Sequence, residues 1–374
     1  MKRIICLLVC MFMIAALCSC KNGADSCPTY KGTELTPEPT QETEPTDPTD
    51  PTLPPELPTE PGDPTVPTGP AEPTEPPTEP STDPTEPPTE PVKPTEPEPP
   101  ASVTLEYSQK TYTVNDPENT KGLSTKSNGF SYGVAKNGVA HDQSIINQRT
   151  FDGYANVEAL ALDTETQEKV MYLTFDNGYE YENLTADILD TLKEKDVKAA
   201  FFVTLSYAKQ NPELVRRMID EGHIVGNHSA THPSFPKISR TEMVKEIAEL
   251  DNYLVENFSY SSPYFRFPSG EYSECALELV TSIGFRSIFW SAAYADWDTS
   301  TQKGADYAFS TVTSRFHSGA VILLHAVSRD NAEALGRIID EARNQGYALK
   351  TLDDYLGQGW DKGTVLLSPD SQSN

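Results

Sequence analysis

Cysteine is scarce where it would matter for folding. Of six in 374 residues, Cys6, Cys10, Cys18 and Cys20 fall at the very start, leaving only Cys27 and Cys275, so a disulfide scaffold is excluded. Basic residues are also few. With 29 Lys and Arg against 56 Asp and Glu, the formal net charge of -27 argues against nucleic acid as a partner and gives no reason to expect a basic contact with anionic lipid. Long apolar runs are missing, and the longest near the start, Ile4 to Leu17, is too short for a comfortable membrane span. From Thr36 to Pro100 apolar side chains nearly vanish. This stretch repeats Pro-Thr-Glu-Pro and Pro-Thr-Asp-Pro, holds 24 of the 32 prolines and sixteen carboxylates, and has Lys93 as its only base. Missing amide donors and self-repelling acids exclude a packed core there.

What is present begins with Lys2 and Arg3, the short apolar run, and Leu17-Cys18-Ser19-Cys20, the layout of an export signal. The last four residues resemble the lipobox of bacterial lipoproteins. That resemblance implies an extracytoplasmic protein whose Cys20 is acylated and tethers it to the bacterial cell membrane, facing the cell wall; ordinary signal cleavage is the alternative. The Pro/Thr/Glu-rich stretch then reads as a stalk, reaching on the order of 200 Å in a polyproline II conformation. The expected organisation is a leader at 1–20, a stalk at 21–100, an extended lead-in at 101–168, a folded domain at 169–357 and a tail at 358–374. Cys275 is expected to be a lone buried thiol near a helix start, with a Cys27–Cys275 bridge as the alternative.

From about Val170 strands and helices alternate. Strands are expected at Met171 to Phe175, Ala199 to Val203, His223 to Gly226, Tyr264 to Phe267, Ser287 to Trp290 and Ala320 to Leu324, each followed by a helical pattern, with a last strand at Ala348 to Lys350. About seven such units suit an α/β fold, either a closed barrel or a doubly wound sheet, and spacing alone does not separate the two.

Polar chemistry gathers just after these strands, where ligands bind in such folds. Val170 to Glu180 runs from an apolar stretch into Asp176, Asn177 and Gly178. Asn227-His228-Ser229-Ala230-Thr231-His232 puts two imidazoles four residues apart, as a transition-metal site requires, although histidines also cap helices and fill cores. Arg266-Phe267-Pro268-Ser269-Gly270, Asp296-Trp297 and Leu324-His325 follow.

In order and spacing these segments resemble the five motifs of the polysaccharide deacetylase family, also called the NodB-homology domain or carbohydrate esterase family four. The resemblance covers about Val170 to Leu356. It implies an irregular (β/α) barrel of about seven strand-helix units that removes acetyl groups from N-acetylated sugars with a divalent metal such as zinc, cobalt or manganese. Position by position, it implies that Asp176 is the base, His228 and His232 are metal ligands, His325 is the general acid and Arg266 orients the base. Asp296 and Trp297 match the motif that shapes the site. Elementary chemistry is in accord: amide hydrolysis needs an activated nucleophile, stabilisation of the developing oxyanion and a proton for the departing nitrogen.

Two positions depart from the family pattern. Asn177 stands where the third metal ligand is normally an aspartate, and Ala293 stands where the fourth motif often has another aspartate, so weaker metal affinity is expected. The Asp-Asn-Gly-Tyr-Glu form and His325-Ala326-Val327-Ser328-x-Asp330-Asn331-Ala332-Glu333-Ala334-Leu335 resemble the delta-lactam-biosynthetic deacetylases acting on muramic acid in peptidoglycan. The expected partner is therefore peptidoglycan, and the chain is expected to act as a monomer. The alternatives are a deacetylase of peptidoglycan N-acetylglucosamine, chitin oligomers or acetylxylan, or a silent cell-wall carbohydrate-binding relative.

Overall fold

The computed structural model describes residues 100–356. The expected leader with Cys20, the stalk up to residue 99, Cys27 and the tail at 358–374 lie outside the described residues.

The stretch 101–168 differs from the expected extended lead-in. β1 (Ser102–Glu106) and β2 (Thr111–Asn115) form an antiparallel hairpin in which Leu105 faces Tyr112 and Val103 faces Val114. Its alternation buries Tyr112 and Val114, while the residues between them face water. After β3 (Asn128–Gly129), helix α1 (Asp142–Gly153) buries Phe151, and β4 (Ala159–Leu160) joins the main sheet. Gln148 locks the pair: its Nε2 donates to the Ala159 carbonyl, and its Oε1 accepts from the Ala161 and Leu162 amides. The segment is thus part of the domain core. A two-residue strand and a helix burying only Ser144, Gln148 and Phe151 carry too little apolar periodicity to be read from sequence.

The repeating part begins with β5 (Val170–Asn177), buried along its whole length and therefore apolar on both faces, as central parallel strands are. It continues through α2 (Leu184–Glu194), β6 (Ala200–Val203), α3 (Leu205–Gln210), α4 (Pro212–Asp220), β7 (Ile224–Asn227) and α5 (Arg240–Phe258). Next come β8 (Tyr264–Phe265), β9 (Glu271–Tyr272), α6 (Glu274–Ser282), β10 (Arg286–Ile288) and α7 (Ala305–Thr313). The described residues end on β11 (Ala320–His325), α8 (Arg329–Asn344), β12 (Ala348–Lys350) and α9 (Leu352–Leu356). The sheet runs β11-β5-β6-β7-β8-β10-β4, all parallel, with β12 pairing the first three residues of β5.

One seam decides between barrel and open sheet. Just past β10, the Ser291 and Ala292 amides donate to the Val321 carbonyl, and the Leu323 amide donates to Ala292. The sheet therefore curls until its β10 side meets β11, which gives the irregular (β/α) barrel. Alternate residues separate two cores. Val170, Tyr172, Ala200, Phe202, Ile224, Tyr264, Ile288 and Val321 fill the barrel, while Met171, Leu173, Phe175, Phe201 and Val225 pack outward against the helices. Gly226 lies on the inner face, where an added Cβ would sit 2.5 Å from the Phe202 ring, so only glycine leaves room for that ring. Cys275 is a free, buried thiol in the first turn of α6, as expected.

Candidate active site

The same alternation that fills the barrel delivers its chemistry. Thr174 and Asp176 follow Val170 and Tyr172 on the inner face of β5, and His325 at the end of β11 is the direct register partner of Asp176. Arg266, one residue past β8, is fully buried and reaches across. Its Nη1 donates to Asp176 Oδ1 at 2.7 Å, its Nη2 to Thr174 Oγ1 at 2.9 Å, and its Nε to the Ile288 carbonyl at 3.0 Å. The guanidinium carbon lies 4.1 Å from the centre of the Phe202 ring, the ring for which Gly226 makes space. Burial alone would push the Asp176 carboxyl up, but the Arg266 guanidinium, with His325 behind it, holds it below the usual range. Asp176 is therefore ionised at neutral pH.

The histidine pair sits on a tight loop rather than a helix. Ser229 (φ 68°) and His232 (φ 60°) are both left-handed, an uncommon conformation for residues with a Cβ. Hydrogen bonds hold the turn: Asn227 Oδ1 accepts from the Ser229 amide, and Ser229 Oγ accepts from the His232 amide, each at 2.9 Å. The rings stand edge to face with centroids 4.9 Å apart. Burial lowers both pKa values, His228 to about 4, so both imidazoles are neutral at pH 7. The 3.6 Å approach of His228 Nε2 to Asp176 Oδ2 is accordingly not an ion pair. His228 Nδ1 bonds the Arg266 carbonyl at 2.9 Å, which aims Nε2 toward the site.

Asn177 alternates to the other face of the strand. There its Nδ2 donates to Thr185 Oγ1 at 3.2 Å, and its Oδ1 is buried without a partner. Among the described residues no group of three or more His, Cys, Asp or Glu side chains is placed to hold a metal. The two neutral, oriented imidazoles fit a divalent cation as nitrogen donors, whereas Asn177 Oδ1, on the other face of β5, is not placed with them.

On the opposite side, His325 Nδ1 bonds Asp296 Oδ1 at 2.7 Å, and its backbone amide donates to Asp296 Oδ2 at 2.8 Å. Burial opposes charging this ring, but the hydrogen bond and charge of Asp296, with Asp176 beyond, hold its pKa above the ordinary value. Trp297 stands 5.7 Å from the imidazole and is 57 % exposed, an open aromatic face at the mouth. All the expected residues except Asn177 thus meet at one point. The reading from sequence gave no role to Thr174, Phe202, Tyr294 or Asn331; for Thr174 the signal was its i, i+2 relation to Asp176 on one strand face.

Residues 163–288 match the family model for polysaccharide deacetylase. The chain is 42% identical over 192 residues to the peptidoglycan-N-acetylmuramic acid deacetylase PdaA of Bacillus subtilis, covering 51% of this chain and 73% of that one. It is 33% identical over 190 residues to a peptidoglycan-N-acetylglucosamine deacetylase of Listeria monocytogenes, covering 51% of this chain and 39% of that one. The solved structure of Bacillus subtilis PdaA, a family 4 carbohydrate esterase, matches with a TM-score of 0.60 at 36% identity, over 63% of this chain and 99% of that one. With its five motifs converging at the carboxyl ends of the barrel strands, the chain belongs to the polysaccharide deacetylase family.

Proposed function

We propose that this protein hydrolyses the acetamide of N-acetylmuramic acid residues in peptidoglycan, the step that frees an amine for delta-lactam formation. The observation that carries the reading is the pairing of Asp176, held ionised by Arg266, with His325, backed by Asp296, on two adjacent strand ends. The 42% identity to an N-acetylmuramic acid deacetylase supports the choice of sugar.

Asp176 Oδ2, the oxygen Arg266 leaves free, takes the proton of the attacking water as its oxygen adds to the acetamide carbon. His325 Nδ1 is engaged by Asp296, so Nε2 faces the substrate and gives its proton to the nitrogen as the carbon-nitrogen bond breaks; acetate and the sugar amine leave. His228 and His232 would hold a divalent ion, zinc, cobalt or manganese. Such an ion polarises water and carbonyl oxygens, and its charge stabilises the developing oxyanion. Peptidoglycan lies outside the cytoplasm, so the protein acts extracytoplasmically, with acylated Cys20 as anchor and the Pro/Thr/Glu-rich stretch as a passive spacer.

The test is mass spectrometry of defined peptidoglycan fragments before and after incubation with wild type and Asp176→Asn. Loss of acetyl from muramic acid with wild type, and a rate lower by about 10²- to 10⁴-fold in the variant, is expected. Loss from N-acetylglucosamine instead would reassign the substrate, and no loss from any sugar would favour a carbohydrate-binding role.

A further inference from the structure

Asp296 accepts a third hydrogen bond that the reaction scheme does not use. Asn331, fully buried in the first turn of α8, donates from Nδ2 to Asp296 Oδ2 at 2.5 Å. That oxygen also receives the His325 amide, and the same Asn331 Nδ2 lies 3.4 Å from the His325 carbonyl. The amide is not free to turn over. Asp296 Oδ2 and the His325 carbonyl can only accept, so the NH₂ faces them, and Oδ1 accepts from the Tyr294 hydroxyl at 2.6 Å. Asn331 itself is set by Ser328, whose Oγ caps α8 by accepting from the Asn331 amide at 3.2 Å.

We infer that Asn331, oriented by Tyr294, is a positioning residue that fixes the Asp296 carboxylate for His325. This inference rests on the assignment of His325 as the general acid. The geometry gives the clamp a purpose that packing alone does not require. Asp296 comes from an irregular loop between β10 and α7, not from a strand, so nothing in the sheet ladder fixes its rotamer. Asn331 ties that loop to α8, the helix that begins four residues after His325. The chain thereby holds both partners of the acid pair from one helix end.

The groups that face His325 are Asp296 from the loop, Asp176 from β5, Arg266 from beyond β8 and His232 from the loop after β7. Around Asp296 itself stand Tyr294 and Tyr132, with Asp330 and Arg315 next to those rings. Of all these, the Asn331 amide is the neutral donor whose removal alters the placement of Asp296 without changing any charge.

The experiment compares wild type with Asn331→Ala and Tyr294→Phe, following kcat/KM against pH on peptidoglycan fragments and the His325 imidazole titration by NMR. Tyr294→Phe removes one oxygen from a ring that is otherwise buried, and it decides the matter if Asn331→Ala fails to fold. Asn331→Ala should lower kcat about 10- to 100-fold, the range of a hydrogen bond to a charged group, and Tyr294→Phe about 2- to 10-fold, the range of a neutral one, with KM little changed. His325 should titrate at lower pH than in wild type, because burial then outweighs a misplaced Asp296, and the alkaline limb of the rate profile should move down with it. Asn331→Asp keeps the donor only while one of the two facing carboxyl groups holds a proton, so its rate should recover toward acid pH. Folded variants with wild-type kcat and a wild-type His325 titration would overturn the clamp. A displaced titration beside an unmoved rate profile would sustain the clamp and count instead against His325 as the acid.

Discussion

Replacing Arg266 with methionine keeps a long apolar stem over Phe202 and removes the cation that compensates Asp176. Both side chains are buried, so the loss falls in the class where removing one partner strands a charge, about 3 to 5 kcal/mol. In a domain of this size that corresponds to a fall in Tm of about 6 to 20 °C. The pH dependence separates this cause from lost packing. In wild type the folded Asp176 pKa is depressed, so its stabilisation is present above the unfolded carboxylate value of about 3.9 and is lost as pH falls through the lower folded value. In Arg266→Met, burial without a cation raises the folded pKa above the unfolded one. Charged Asp176 then costs stability, starting near pH 4 and growing until the raised folded value is passed. The difference between the two proteins should therefore shrink as pH drops. Denaturant unfolding between about pH 4 and pH 8 reads it directly, and adding Asp176→Asn to the variant should restore part of the loss at neutral pH by removing the stranded charge. A stability gap that stays constant across this range would refute the reasoning.

With its pKa held above the ordinary value of about 6.5, His325 places the alkaline limb of the rate profile above that pH; Asp296→Asn should bring the limb below it, since burial then prevails, and an unmoved limb would exclude Asp296 as the cause. Because Asn177 faces Thr185 and not the imidazoles, Asn177→Asp should leave the affinity for zinc, cobalt or manganese unchanged by calorimetry, and tighter binding would return position 177 to the ligand set. A chain starting at Ala101 should retain wild-type turnover on soluble fragments, whereas one starting at Val170 should not fold, because Tyr112, Phe151 and Ala159 are missing from the core; native-like unfolding of the shorter chain would contradict the packing described.

The site was legible because every reacting group follows a strand of continuous apolar character. Asp176 after Met171 to Phe175 and His325 after Ala320 to Leu324 are examples where a change of chemistry marks both the strand end and the function. The choice of barrel over open sheet was not legible, because it turns on the isolated pairing of Ala292 with Ile322, a contact without any pattern of its own. The roles of Asn331 and Tyr294 were hidden for a related reason: they lie 37 residues apart and meet only through the folded loop. Asn177 shows the limit of motif reading, since the alternation of β5 turns it away from Asp176 toward Thr185.

The pairing of β11 with β5 carries a further consequence. Asp176 and His325 are opposite one another in a parallel ladder, so the spacing of the two backbone positions that carry proton acceptor and proton donor is the interstrand spacing, about 4.8 Å. A slip of one residue would bring Leu324 opposite Asp176 and swing the imidazole out among the helices. Loops around the mouth can therefore lengthen, shorten or change their sugar preference while the two proton carriers keep their separation, and the sheet itself serves as the gauge of the reaction.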